Sequence, residues 1–205
     1  MEQFRYILII LVSTVYYFAA TSQSSAELLV LDWEVAGDNA ITRDTTTGLD
    51  WLDLTATVGR SFNDVSRNLY LGGDFECFRH ATFNEVFSLL TSVGWPVIGS
   101  NIFHPDAYQP LSLLQSLIGV TIDRDFMLES HGTTANIVSG VRDGVSIYVE
   151  TRSFVGLTQR GGGWDDDTTY DGIGHWLVRA ECFTAPFPWE IFLPAIHYGV
   201  RQYSH

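Results

Sequence analysis

The chain contains no lysine: all eleven basic residues are arginine, set against 24 acidic ones, for a formal net charge of −13. A domain this acidic repels nucleic acid and anionic membrane surfaces, which excludes both as partners. Neutral glycans, divalent cations and basic protein patches remain. The plainer alternative is that the charge keeps an exported protein soluble. The six histidines show no H-x-x-x-H or paired Cys/His spacing, so nothing points to zinc. There is no G-x-S-x-G, Walker A or dinucleotide fingerprint. Acid pairs such as Asp123/Asp125 are not singled out for catalysis. The expectation is a protein that is not an enzyme. Internal repeats and low-complexity tracts are lacking too, which leaves one domain and a tail.

Long apolar runs are equally scarce. The longest, residues 6–20, follows Arg5 and precedes the small polar stretch 21–26. That order is the pattern of a secretory signal peptide, with cleavage expected after Ala26. An uncleaved anchor is the alternative, but the run falls short of the ~20 residues that span a bilayer. The expected division is therefore residues 1–26 signal peptide, 27–182 domain and 183–205 an aromatic tail, with the protein secreted or at the cell surface. Cys77 and Cys182 are the only cysteines. An even count in an exported chain suggests a disulfide. It would close a loop of about 105 residues, worth about 4 kcal/mol. Two buried free thiols are the other reading.

The best-specified stretch is residues 72–95. Thr82 and Glu85 form a T-x-x-E capping box, and Phe83, Val86, Phe87, Leu90 and Val93 follow at helical spacing. Gly94 and Pro96 end that helix. Strands are expected over 27–34, 40–43 and 49–54, with Trp51 as a core anchor. Ser61 should cap a short helix that turns Phe62, Val65 and Leu69 inward. Pro110 should open a third helix, ending at Gly119. Asp143-Gly144, between strands 136–142 and 145–151, reads as a hairpin turn. Residues 159–174 (QRGGGWDDDTTYDGIG) read as a long polar loop, and His175 as a surface residue at the start of the closing strand.

That loop holds the most site-like cluster. The carboxylates of Asp165, Asp166, Asp167 and Asp171 could converge on calcium, a hard cation that takes oxygen ligands. Trp164 beside them could stack on a sugar face. The ligand set is thus Trp164, Asp165, Asp166 and Asp167, all expected to be exposed on a mobile loop. The alternative is a solvated acidic turn.

Three segments together carry a resemblance: residues 44–54 (DTTTGLDWLDL), 75–86 (FECFRHATFNEV) and 174–179 (GHWLVR). The chain resembles the collagen-like-adhesin C-terminal domain family found in exported bacterial proteins of the PEP-CTERM kind. The family's motif is an aromatic, Arg, a variable residue, Pro or Ala, Thr, then Glu. It falls on Phe78, Arg79, His80, Ala81, Thr82 and Glu85. The resemblance implies an α+β, C-type-lectin-like fold, with two or three short helices packed on small antiparallel sheets. C-type lectins carry a Trp-Asn-Asp calcium element before their closing strand, and Trp164-Asp165-Asp166 is similar to it. The tail lacks Val-Pro-Glu-Pro, so it departs from the sorting pattern. The function expected is an extracellular binding domain for carbohydrate or another surface polymer. The alternatives are a structural component of envelope or matrix, making protein contacts through the tail, and an extracellular hydrolase.

Overall fold

A computed structural model describes residues 27–95, 108–150 and 154–180, with backbone only over 154–163. The expected signal peptide, Cys182 and the tail 183–205 lie outside the described residues. The architecture is α+β, with three α-helices and two largely antiparallel sheets among the described residues.

The first sheet contains β1 (Leu28–Leu31), β2 (Ile41–Asp44), β3 (Leu49–Leu52), β10 (Leu177–Arg179) and β4 (Arg79–His80), in that order across the sheet. Alternation gives it two buried faces. Trp51 and Val178 point into the main core, while Ile41, Leu52 and Leu177 join Phe75 and Phe78 in a second cluster. The first and last strands thus lie in one sheet, as expected. The second sheet runs β5 (Ile122–Arg124), β6 (Met127–Val138), β7 (Val141–Glu150) and β8 (Phe154–Trp164). The short β9 (Gly174–His175) lies parallel to β6.

Trp176, between β9 and β10, joins the two sheets. Its amide donates to the Thr133 carbonyl in β6, and its own carbonyl accepts from Ala81 beside β4. The indole sits edge-on to Trp51 at 6.0 Å and donates to the Val145 carbonyl. Gly132 makes room for it, because a Cβ there would stand 2.9 Å from the ring.

The helices are α1 (Phe62–Arg67), α2 (Phe83–Ser92) and α3 (Tyr108–Ile118). Ser61 caps α1 as expected. The reciprocal box of Thr82 and Glu85 opens α2, and Arg79 donates twice to the Glu85 carboxylate. The aromatic-Arg-x-Ala-Thr-x-x-Glu pattern is therefore one helix-start device. Pro110 lies third in α3 rather than first; in the first turn its missing N–H costs nothing.

Two expectations are corrected. The hairpin turn is Ser139-Gly140, not Asp143-Gly144. Ser139 and Gly140 take positive φ, 54° and 83°, as a two-residue hairpin turn requires. Asp143 and Gly144 lie buried inside β7, where glycine is needed for a different reason. The Trp164 ring covers Gly144, and a Cβ would sit 2.3 Å from its Cζ3. Residues 159–164 are likewise strand rather than loop, since β8 runs through the glycines to Trp164.

Candidate functional site

Two irregularities in strand pairing build the site. Between β6 and β7 the register passes from Thr133↔Gly144 to Ile137↔Arg142, which leaves extra residues on β6. Between β7 and β8 it passes from Asp143↔Gly161 to Arg142↔Trp164, which leaves Gly162 and Gly163 over. Such bulges bend a strand and re-aim its side chains. Here both converge on Arg142. The β6 bulge is fixed from α2: the Asn136 carboxamide oxygen accepts from the Phe83 amide at 2.6 Å, and Ala135 donates to the Ala81 carbonyl.

Arg142 is 8 % exposed, and all three guanidinium nitrogens donate hydrogen bonds. Nε and Nη2 donate to the two oxygens of Asp166 at 3.0 and 2.6 Å, and Nη1 donates to the Ala135 carbonyl at 2.9 Å. The guanidinium carbon lies 3.5 Å from the centre of the Phe62 ring, a close cation–π contact. The His80 ring stacks on Phe62 at 3.9 Å. Two groups that close cannot share one face, so the order is Arg142, Phe62, His80.

The acidic turn is tied to α1. Asn63 donates its amide to the Asp166 carbonyl at 2.9 Å and its side-chain NH2 to Asp167 at 2.8 Å. Asp165 accepts the Asp167 amide, and its own amide donates to the Tyr170 hydroxyl. Asp165 and Asp167 are exposed as expected, and Asp171 is exposed too, whereas Asp166 and Trp164 are half-buried. For those two the expectation of exposure is corrected: Arg142 draws Asp166 inward, and Trp164 lies over Gly144 with its ring 5.0 Å from that of His131 and steeply inclined to it. The three consecutive carboxylates diverge, each towards a different partner. Among the described residues, no group of three or more His, Cys, Asp or Glu side chains is arranged to hold a metal ion.

Trp164, Asp165, Asp166 and Arg142 wall an open groove of about 410 Å³, closed opposite by Ile137, Gly140 and Val141 at the hairpin tip. Ile137 and Val138 are exposed, so the tip offers an apolar edge to a groove that is acidic on its other side. Trp164, Asp165, Asp166 and Arg142 also share a water-sized space bordered by Phe62, Thr133, Tyr170, Ile173 and His175.

His175 is not on the surface; it is 3 % exposed. Its Nε2 donates to the Arg60 carbonyl, which fixes the tautomer, so Nδ1 accepts from the Thr133 hydroxyl at 2.7 Å. Burial lowers its pKa. His80 is pushed down to about 3, by burial first and then by His175 and Arg142. Both imidazoles are neutral structural groups. Cys77 is disulfide-bonded, with φ at 72°.

Arg142, Phe62 and His80 were not marked as site residues by the sequence. They lie 18 to 80 residues apart, and no spacing rule joins them. The one available signal was the glycine triplet before Trp164, which reads equally as a loop or as a bulge. No protein-family model, curated protein or solved structure matches the chain.

Proposed function

We propose that this is an exported, non-enzymatic binding domain that takes a neutral carbohydrate or similar hydroxylated surface polymer in the groove between the hairpin tip and Trp164. The carrying observation is Trp164 itself, a half-buried indole packed on Gly144 in the wall of an open groove. A pyranose has an apolar C–H face and a rim of hydroxyls. Trp164 with Ile137 and Val141 suits the first, and the exposed Asp165 carboxylate can accept from the second. Neutral rather than acidic sugars fit a chain of net charge −13. A C-type-lectin-like arrangement is part of this reading, supported by the shared sheet of first and last strands. Export is supported by the pattern of residues 1–26 and by a bonded cysteine.

The non-enzymatic part rests on how the polar groups are engaged. Asp166 is held by Arg142, and His175 uses both ring nitrogens in structural hydrogen bonds. An array of neutral and acidic glycans tests the reading. Binding to neutral structures, weakened at least about tenfold by Trp164→Ala (about 1.4 kcal/mol), is expected. Absence of binding across the array, or equal binding by the variant, would end it.

A further inference from the structure

The Trp164–Asp167 turn has the composition of a calcium loop, yet its central carboxylate faces a guanidinium. We propose that Arg142 is the built-in cation of this turn, occupying the place a metal ion would take, so that the groove is preformed and works without metal. The inference extends the carbohydrate reading, and only its ligand-binding arm rests on that reading.

The geometry carries it in three steps. Arg142 is a buried positive charge that meets both Asp166 oxygens and also takes a backbone carbonyl, from Ala135. A hard cation at this turn would seek the same donor types, carboxylate and carbonyl oxygen. Next, the remaining acids are turned elsewhere: Asp167 accepts from Asn63, and Asp165 accepts from the Asp167 amide. Convergence on an ion would require breaking those bonds and displacing a guanidinium seated on Phe62. Finally, the two bulges place Arg142 directly opposite Trp164 in the strand register. The residue that neutralises the turn therefore also anchors the strand end from which the indole projects. Arg142 is a positioning residue for the groove, and it need not touch the ligand.

The test uses terbium(III), a calcium mimic whose emission is excited through a nearby indole. The full mature chain should show no sensitised emission at micromolar terbium, and calcium or chelator should leave its melting temperature unchanged. Arg142→Gln leaves Asp166 without its cation. That variant should gain terbium emission and a calcium-dependent rise in melting temperature, and should lose both on adding Trp164→Phe and Asp166→Asn respectively. Arg142→Lys keeps the charge and should behave as the parent does, a rescue that a merely structural loss would not give. If Arg142→Gln does not fold without metal, recovery of its folded signal in calcium is the expected result. Failure to recover would overturn the proposal, as would terbium emission from the parent chain that depends on Trp164. Neutral oligosaccharide binding should be equal in calcium and in chelator, and chelator-sensitive binding would also overturn it. A parent chain that binds no sugar in either buffer ends the carbohydrate reading alone, because the terbium result needs no sugar.

Discussion

At the scale of single residues, the site depends on side chains held by unlike forces. Asp166 is about one-third exposed while Arg142 is buried, so the pair is asymmetric: removing the carboxylate strands a charge that has lost its water. Breaking a fully buried pair costs more, but the exposure of Asp166 lets water screen part of the loss. Asp166→Asn should therefore destabilise by about 2 kcal/mol, measured by urea unfolding. A change below a few tenths of that would show that the pair contributes no more than an ordinary surface bridge. Gly144 depends on space instead. Gly144→Ala would place a methyl group against the Trp164 ring and within 2.9 Å of the Gly132 carbonyl. Trp164 must move, and overpacking of this kind costs about 2 kcal/mol. Ligand binding should fall together with stability, and retention of full binding would mean that the indole has another stable seat.

At the scale of elements, the sequence was most legible where local chemistry decides structure. The α2 start could be read from Thr82 and Glu85 because a capping box is satisfied within four residues. Thr82→Ala should cost about 1 kcal/mol, and Arg79→Ala should weaken the same helix start by orienting Glu85 less well. Circular dichroism with thermal melting checks both. Trp51 and the Val145, Ile147, Val149 face also followed from alternation. Legibility failed where tertiary contacts choose between equivalent local options. Asp143-Gly144 has the chemistry of a hairpin turn, but Ser139-Gly140 can turn as well, and it is Ser139-Gly140 that does so while Gly144 packs under Trp164 inside the strand. The glycine run before Trp164 could be loop or bulged strand, and pairing with β7 settles it as strand. Arg142 was invisible as a site residue, because its partners come from α1, the β6 bulge and the acidic turn.

At the scale of the whole molecule, acidity is set against burial. Two imidazoles, His80 and His175, lie at the junction of the two sheets, 5.6 Å apart and close to Arg60 and Arg142. Opposing charge comes from Asp64 and Asp166, each already paired with an arginine. Burial is the main cause holding both histidines below their ordinary value of 6.5, and His80 reaches about 3. The sign follows from which state takes the proton. Above pH 6.5 both folded and unfolded chains keep these rings neutral, and no penalty arises. Below 6.5 the unfolded chain binds protons that the folded one refuses, so stability falls as pH falls. For His80 the slope approaches about 1.4 kcal/mol per pH unit below that value and continues down to about pH 3, and His175 adds to the fall in the same direction. Glu85, held down to about 2 by Arg79, and Asp64, lowered by Arg60, add further loss below about pH 4.5 as their bridges are protonated. Urea midpoints should therefore drop steadily from pH 7 to pH 4 instead of staying level until the carboxylates titrate. His80→Phe keeps an aromatic ring against Phe62 and removes one titrating group, so its slope between pH 6.5 and 4.5 should be shallower by about one proton's worth. A parent protein equally stable at pH 7 and pH 5 would show that these rings gain protons freely in the folded state. The junction between the sheets would then have to be open to water.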